Sequence, residues 1–153
     1  MFSKMMLGLV VLTVLVPAAY AQTMGTCSKP DFSKDIPAGD REGHLFAIAQ
    51  GQCKRHVETN GVSSDAATFS EHAEITPTLY KAWGIFVETY ANGDKISYSY
   101  ILRLPIKDGV QQPGTSTYRA TSGTGKMKGI KSSGECKFVP HPDTSADYTC
   151  TKK

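Results

Sequence analysis

Apolar and polar residues alternate most regularly on both sides of the dipeptide Asn92-Gly93. Asn-Gly is the strongest short hairpin signal, because a two-residue type I′ turn requires positive φ at both central residues. A hairpin centred there pairs Tyr90 with Lys95, and a slip of one residue would exchange the two faces of a strand. One face of this hairpin then consists of Trp83, Ile85, Val87, Thr89, Ile96, Tyr98, Tyr100 and Leu102. The pattern therefore predicts a long antiparallel hairpin with an apolar side that the rest of the chain must cover.

Further strands are predicted before and after this hairpin. Within residues 42–50, positions 45–49 form a short apolar run bracketed by Gly43 and Gly51. The run is either a strand or the start of a helix, and its length favours a strand. Residues 52–59 then alternate up to a second Asn-Gly pair. Residues 68–76 alternate cleanly, and residues 115–121 form a strand rich in Thr and Tyr. Seven or eight short strands with turn signals and no amphipathic helix predict a closed antiparallel barrel or a sandwich. A barrel would remove the exposed edges of the long hairpin.

The first 21 residues predict a cleaved signal peptide. Lys4 supplies the positive charge, residues 5–16 are apolar, and Ala19-Tyr20-Ala21 matches an A-x-A cleavage site. The apolar run is too short to serve as a stable membrane anchor, so we expect a periplasmic or secreted protein. Residues 22–41 are rich in Pro, Gly, Asp and Ser, which favours an irregular N-terminal arm, and residues 42–153 then form the single β-barrel or sandwich domain.

All four cysteines follow the predicted cleavage site, and an exported chain meets an oxidising compartment. Two disulfides are therefore expected, with three ways of pairing them. If Cys136 lies opposite Cys150 in an antiparallel pair, Phe138 lies opposite Tyr148 and a five-residue loop joins the strands. This register favours the bridges Cys136–Cys150 and Cys27–Cys53.

Charge and motif spacing argue against several functions. The chain has 17 basic and 14 acidic residues, a balance too even for a nucleic-acid partner. His44, His56, His72 and His141 show no metal-ligand spacing, and the sequence contains no G-x-S-x-G motif of a hydrolase. The Gly-rich segment 122–131 lacks the spacing of a phosphate-binding loop and is expected to be a tight turn. We expect no metal and no cofactor.

Five residues are candidates for binding a ligand. Glu71 is the one carboxylate on the apolar side of residues 68–76, where it lies either at a barrel rim or in a cavity. Tyr98 and Tyr100 share the apolar face of the hairpin with Trp83 and Ile85, either as core or as the lining of a small-molecule site. On the other face, Phe86 and Ile101 are diagonal neighbours, and this apolar spot predicts a contact between copies of the chain.

Residues 122–131 also carry a family resemblance. Ser122-Gly123-Thr124-Gly125-x-Met127 followed by Gly129-Ile130-Lys131 resembles the Gly-Gly-Thr-Gly-x-Phe signature of allene oxide cyclases and plant dirigent proteins. The resemblance implies an eight-stranded antiparallel barrel of calycin type, commonly trimeric, with an apolar cavity. Because Ser122 and Met127 replace Gly and Phe, no catalytic residue is carried over.

A second resemblance covers most of the chain after the predicted signal peptide. It is to small exported bacterial proteins of unassigned function, and the segments that carry it in order are DIPAGDR (35–41), GHxFAIxQGxC (43–53), ANGDK (91–95) and TSGTGK (121–126).

These observations lead to three functional hypotheses. The first is an exported, non-enzymatic barrel that binds a small, mostly apolar molecule. The second is a cyclase or isomerase of an apolar substrate, in which Glu71 polarises the substrate and Tyr98 or Tyr100 orients it. The third is a structural envelope protein with a fully packed barrel, against which an open interior cavity would argue.

Overall fold

The computed structural model describes residues 22–153, so the predicted signal peptide lies outside the described residues. This part of the chain forms ten strands and one short 3₁₀ turn, Gly125–Met127, between the eighth and ninth strands. The strands are β1 (Gln22–Cys27), β2 (Phe32–Pro37), β3 (Leu45–Thr59), β4 (Val62–Thr76), β5 (Leu79–Thr89), β6 (Lys95–Lys107), β7 (Val110–Gln111), β8 (Gly114–Gly123), β9 (Ser133–Pro140) and β10 (Ala146–Lys152). No helix in this part of the chain is long and apolar enough to cross a membrane.

Eight of the strands close an antiparallel barrel, which confirms the predicted fold. The order is β1-β10-β9-β8-β6-β5-β4-β3, and β1 pairs back to β3 to complete the circle. The closing contact is short, because only Thr26–Lys54 and Cys27–Cys53 pair there. The two remaining strands are additions, since β2 extends along the other half of the same β3 edge and β7 pairs with the end of β6.

The prediction of an irregular N-terminal arm over residues 22–41 is wrong for most of these residues. Residues 22–27 form β1, which pairs with β10 at the opposite end of the chain, and residues 32–37 form β2 against β3. The composition of an isolated segment does not show such distant partners. The apolar run within residues 42–50 and the alternating segment 52–59 form one strand, because β3 continues through Gly51 to Thr59.

The two Asn-Gly pairs form different turns. At Asn60-Gly61 both residues have positive φ, 50° and 71°, as a type I′ turn requires. At Asn92-Gly93 only the glycine does, with φ of 85°. There the Tyr90 amide donates to the Asp94 carbonyl over 2.8 Å, and the Gly93 amide donates to the Tyr90 carbonyl. This is a three-residue loop with a glycine bulge, and Thr89 rather than Tyr90 pairs with Lys95.

The extra loop residue exchanges the faces of β5 relative to the prediction. Inward-facing β5 residues pair with inward-facing β6 residues as Ala82–Leu102, Gly84–Tyr100, Phe86–Tyr98 and Glu88–Ile96. The predicted inward direction is therefore right for Tyr98 and Tyr100 but wrong for Trp83 and Ile85, which lie on the outer wall. Phe86, predicted to face outward beside Ile101, instead packs in the barrel core.

The closing hairpin and both disulfides are confirmed. Strands β9 and β10 pair Cys136 with Cys150 and Phe138 with Tyr148, in the register that the cysteine spacing suggested. The bonds are Cys136–Cys150 and Cys27–Cys53. The second bond joins β1 to β3 and therefore fastens the barrel at its shortest strand contact.

One end of the barrel is packed with side chains. Tyr90, Ile96, Tyr98 and Met127 form a buried cluster there, and Met127 is contributed by the 3₁₀ turn of the Gly-rich segment. A Cβ atom on Gly123 would lie 2.1 Å from the Met127 carbonyl oxygen, so glycine is needed for the turn to fold this closely. The tight turn predicted for this segment thus delivers a side chain to the barrel end.

The two disulfides should contribute unequally to stability. For sequence separations of 26 and 14 residues, the chain-entropy contributions of the two bonds to stability differ by only about 0.5 kcal/mol. Cys136–Cys150, however, joins strands that also pair over seven residues, whereas Cys27–Cys53 reinforces two pairs. We expect Cys27→Ser/Cys53→Ser to lower the thermal midpoint more than Cys136→Ser/Cys150→Ser does. Equal losses, measured by circular dichroism, would contradict a special role for the closure.

Candidate binding cavity

The barrel interior contains a cavity of about 790 Å³. This volume lies within the range of ~300–1,000 Å³ that is usual for small-molecule sites. The cavity extends from the barrel centre to a mouth at Ser33, Asp35, Val110 and His141, where β2, β7 and the β9–β10 loop meet. Its aromatic lining consists of Phe69, Tyr80, Phe86, Tyr98, Tyr100, Tyr118, Phe138 and Tyr148.

Four aromatic rings lie directly over glycines of the neighbouring strand. The cross-strand pairs are Gly25–Tyr148, Gly51–Phe69, Gly84–Tyr100 and Gly134–Tyr118. A Cβ atom on Gly84 would lie 2.3 Å from the ring of Tyr100, and a Cβ on Gly25, Gly51 or Gly134 would come within 2.7 Å of its aromatic partner. The glycines therefore let these rings lie against the inner wall, which leaves the centre of the barrel open.

Glu71 forms the first polar centre of the cavity. The Tyr80 hydroxyl donates to its Oε1 and the Tyr100 hydroxyl donates to its Oε2, both over 2.6 Å. The residues that pair with Glu71 on β3 and β5 are Ala49 and Gly84, and their small size leaves room around the carboxylate. The side chain lines the cavity, so of the two placements left open by the sequence the structure selects the interior.

The two phenols at Glu71 stay protonated far into the alkaline range. Burial and then the negative charge of Glu71 raise the pKa of both Tyr80 and Tyr100 well above its usual value of about 10. Both hydroxyls therefore remain hydrogen-bond donors to the carboxylate at neutral pH.

Arg55 and Glu88 form the second polar centre, at the packed end of the cavity. Arg55 Nε donates to Glu88 Oε1 over 2.8 Å and Nη2 donates to Oε2 over 2.7 Å, while the Glu88 side chain is only 1% exposed. The guanidinium also lies 5.0 Å from the ring centre of Phe86. Burial opposes its charge, but the hydrogen bonds and charge of Glu88 outweigh this and raise the pKa of Arg55.

This ion pair was missed in the sequence. Alternation did place Arg55 on the same face as Cys53, but the predicted hairpin register put Glu88 on the opposite side of its strand. With the register of the structure, Arg55 and Glu88 meet inside the barrel. An arginine on an otherwise apolar strand face is a signal that could have prompted a search for a buried acidic partner.

Tyr148 differs from Tyr80 and Tyr100 in its hydrogen bonding. Its hydroxyl is buried over Gly25 and has no hydrogen-bond partner among residues 22–153. Burial raises the pKa of Tyr148 to about 12. Its hydroxyl is thus a buried polar group whose removal leaves no described partner unsatisfied.

Of the five predicted binding residues, the structure brings Glu71, Tyr98 and Tyr100 into the cavity lining and leaves two outside it. Trp83 stacks on His72 on the outer wall, with ring centres 5.4 Å apart, and Ile85 is 45% exposed beside it. Ile101 is exposed on the same wall, so the contact between copies stays a prediction that now involves Ile101 without Phe86.

The described residues contain no cluster with the composition of a metal site. Nowhere between residues 22 and 153 do three or more His, Cys, Asp or Glu side chains form a group that could hold a metal ion. No protein-family model matches the chain, and a search of curated proteins finds no match. The geometry of the cavity therefore carries the functional argument.

Replacing two cavity tyrosines by phenylalanine should have opposite effects on stability. Tyr100→Phe removes a hydrogen bond to a carboxylate and should lower the free energy of unfolding by about 1.5–3 kcal/mol. Tyr148→Phe removes an unpartnered hydroxyl and should leave stability unchanged or increase it. Urea unfolding of the two variants checks this. A loss at Tyr148→Phe as large as that at Tyr100→Phe would mean that the Tyr148 hydroxyl is paired.

Proposed function

We propose that the protein binds a small, mostly apolar molecule in the barrel interior and does so without catalysis. The observation that carries the proposal is the aromatic-lined cavity of about 790 Å³. A hollow interior loses the dispersion contacts that a packed core would make. Glycines within strands also weaken those strands. A barrel that served only as a rigid body would be more stable if larger side chains filled this space. The cavity therefore favours a binding protein over a structural envelope protein.

Two further observations agree with this proposal, one on the compartment and one on the fold. Both disulfides favour an oxidising compartment, which agrees with a periplasmic or secreted protein. The closed eight-stranded barrel agrees with the resemblance to allene oxide cyclases and dirigent proteins, whose barrels also enclose apolar cavities.

A second candidate function is a cyclase or isomerase, which one specific contact favours. Glu71 and Tyr100, predicted as the polarising and orienting residues, are hydrogen-bonded inside the cavity. The phenols that contact Glu71 have raised pKa values, however, and so are poor proton donors or acceptors at neutral pH. Because the phenols at Glu71 are not tuned for proton transfer at neutral pH, we place binding first.

Binding is tested with a neutral apolar probe and a variant that fills the cavity. Naphthylmethanol should bind the wild-type protein saturably with one molecule per barrel, as followed by its fluorescence. Ala49→Phe, which adds a ring to the inner wall beside Glu71, should weaken this binding by at least about tenfold. The matched control is Gln50→Phe, which adds the same ring one residue along β3 on the outer wall.

The control should retain the wild-type affinity within about twofold, since Gln50 points away from the cavity. Equal weakening in both variants, or no saturable binding by the wild type, would contradict an interior binding site. Native mass spectrometry of protein purified from its own host provides an independent readout, because a retained small molecule would add its mass to the barrel.

A further inference from the structure

The ionisable side chains inside the barrel do not balance in charge. Apart from the tyrosines, those lining or closing the interior in the described part of the chain are Arg55, Glu88 and Glu71, and Asp35 and His141 line its mouth. Arg55 and Glu88 neutralise each other through two hydrogen bonds. None of the salt bridges formed by residues 22–153 includes Glu71. Glu71 therefore has no positively charged partner in the wall of the barrel interior.

The two phenols satisfy this carboxylate only in part. Tyr80 and Tyr100 each donate one hydrogen bond, but neither brings a positive charge. A carboxylate oxygen accepts more than one hydrogen bond, so both oxygens keep acceptor capacity toward the cavity. Because surroundings of low dielectric strengthen an ionic contact, a cation placed there would gain more than it would on the protein surface.

The rest of the cavity also favours a positive ligand. Eight aromatic side chains line it, and the face of such a ring attracts cations. At the mouth, Asp35 adds a second acidic group, whereas His141 is already held by Asp147 at 3.0 Å. The guanidinium of Arg55 is the nearest opposing charge in the interior, and Glu88 neutralises it.

We propose that the ligand is cationic as well as apolar, namely a protonated amine carried on an aromatic or aliphatic body, with its ammonium group against Glu71. This inference rests on the binding function proposed above and adds the charge and orientation of the ligand. The apolar body would lie along the aromatic wall. The ammonium would donate a hydrogen bond to Glu71 and supply the positive charge that Tyr80 and Tyr100 lack.

Three probes of one shape and different charge test the proposal. Naphthylmethylamine is a cation at neutral pH, naphthylmethanol is neutral and naphthoate is an anion. By isothermal titration calorimetry, the wild-type protein should bind the amine at least about tenfold more tightly than the alcohol, and naphthoate most weakly of the three. This comparison uses only the wild-type protein, so it does not depend on whether a variant folds.

Two isosteric variants locate the effect. Glu71→Gln should reduce the affinity for the amine by at least about tenfold and so remove most of the preference for the amine over the alcohol. Glu74→Gln is the matched control, because it removes the same charge from the outer face of β4, three residues away. It should preserve the preference for the amine, since Glu74 and its hydrogen-bonded partner His44 are not part of the cavity lining.

The outcomes separate a failure of the cationic ligand from a failure of apolar binding itself. If the wild type binds the alcohol as tightly as the amine, or if Glu74→Gln removes the preference as fully as Glu71→Gln, the cationic ligand is ruled out while apolar binding stands. If none of the three probes binds, the proposed binding function fails with it.

Discussion

The cavity depends on aromatic rings that lie over cross-strand glycines. An eight-stranded barrel is just wide enough either to be filled by its own side chains or to hold one small ligand, so small differences at the wall decide the outcome. Here Phe69, Tyr100, Tyr118 and Tyr148 each occupy the space where a Cβ atom of the opposite residue would otherwise be. The adjoining row of the wall consists of the small side chains of Ala47, Ala73 and Ala82, which pair across β3, β4 and β5. The interior is therefore open, although aromatic side chains line it.

The same arrangement sets the chemistry of the cavity. Because Tyr100 lies over Gly84, its hydroxyl reaches the carboxylate of Glu71, which is the other cross-strand neighbour of that glycine. At the packed end, Arg55 and Glu88 neutralise each other and brace the barrel between β3 and β5. The two centres thus differ in kind: in one, a carboxylate is paired with a guanidinium, and in the other the Glu71 carboxylate forms no salt bridge with any of residues 22–153. A hollow apolar barrel with one unbalanced acid is suited to an apolar cation.

Period-2 alternation and cysteine spacing predicted the inner face of β4 and the closing hairpin, since each depends on residues close in sequence. They left a barrel and a sandwich both open, and the resemblance carried by residues 122–131 favoured the barrel. The hairpin at Asn92-Gly93 was misread because a type I′ turn and a bulged three-residue loop use the same dipeptide. Distant contacts favour the bulged loop: Asp94 accepts a hydrogen bond from the Lys126 amide, and Glu88 must face inward to meet Arg55. The strands at residues 22–37 were missed because their partners lie far along the chain. The glycine and aromatic pairs become visible only in the right register.

The most direct test of this account is the free energy of unfolding of Gly84→Ala, measured in the wild-type and Tyr100→Ala backgrounds. On strand preference alone, replacing glycine by alanine should stabilise the barrel by about 0.5–1 kcal/mol. If the ring of Tyr100 occupies that space, the substitution should destabilise the wild type by about 1–3 kcal/mol and lose this penalty once the ring is removed. Stabilisation of the wild type, or the same penalty in both backgrounds, would contradict the claim that rings seated on glycines hold the barrel open.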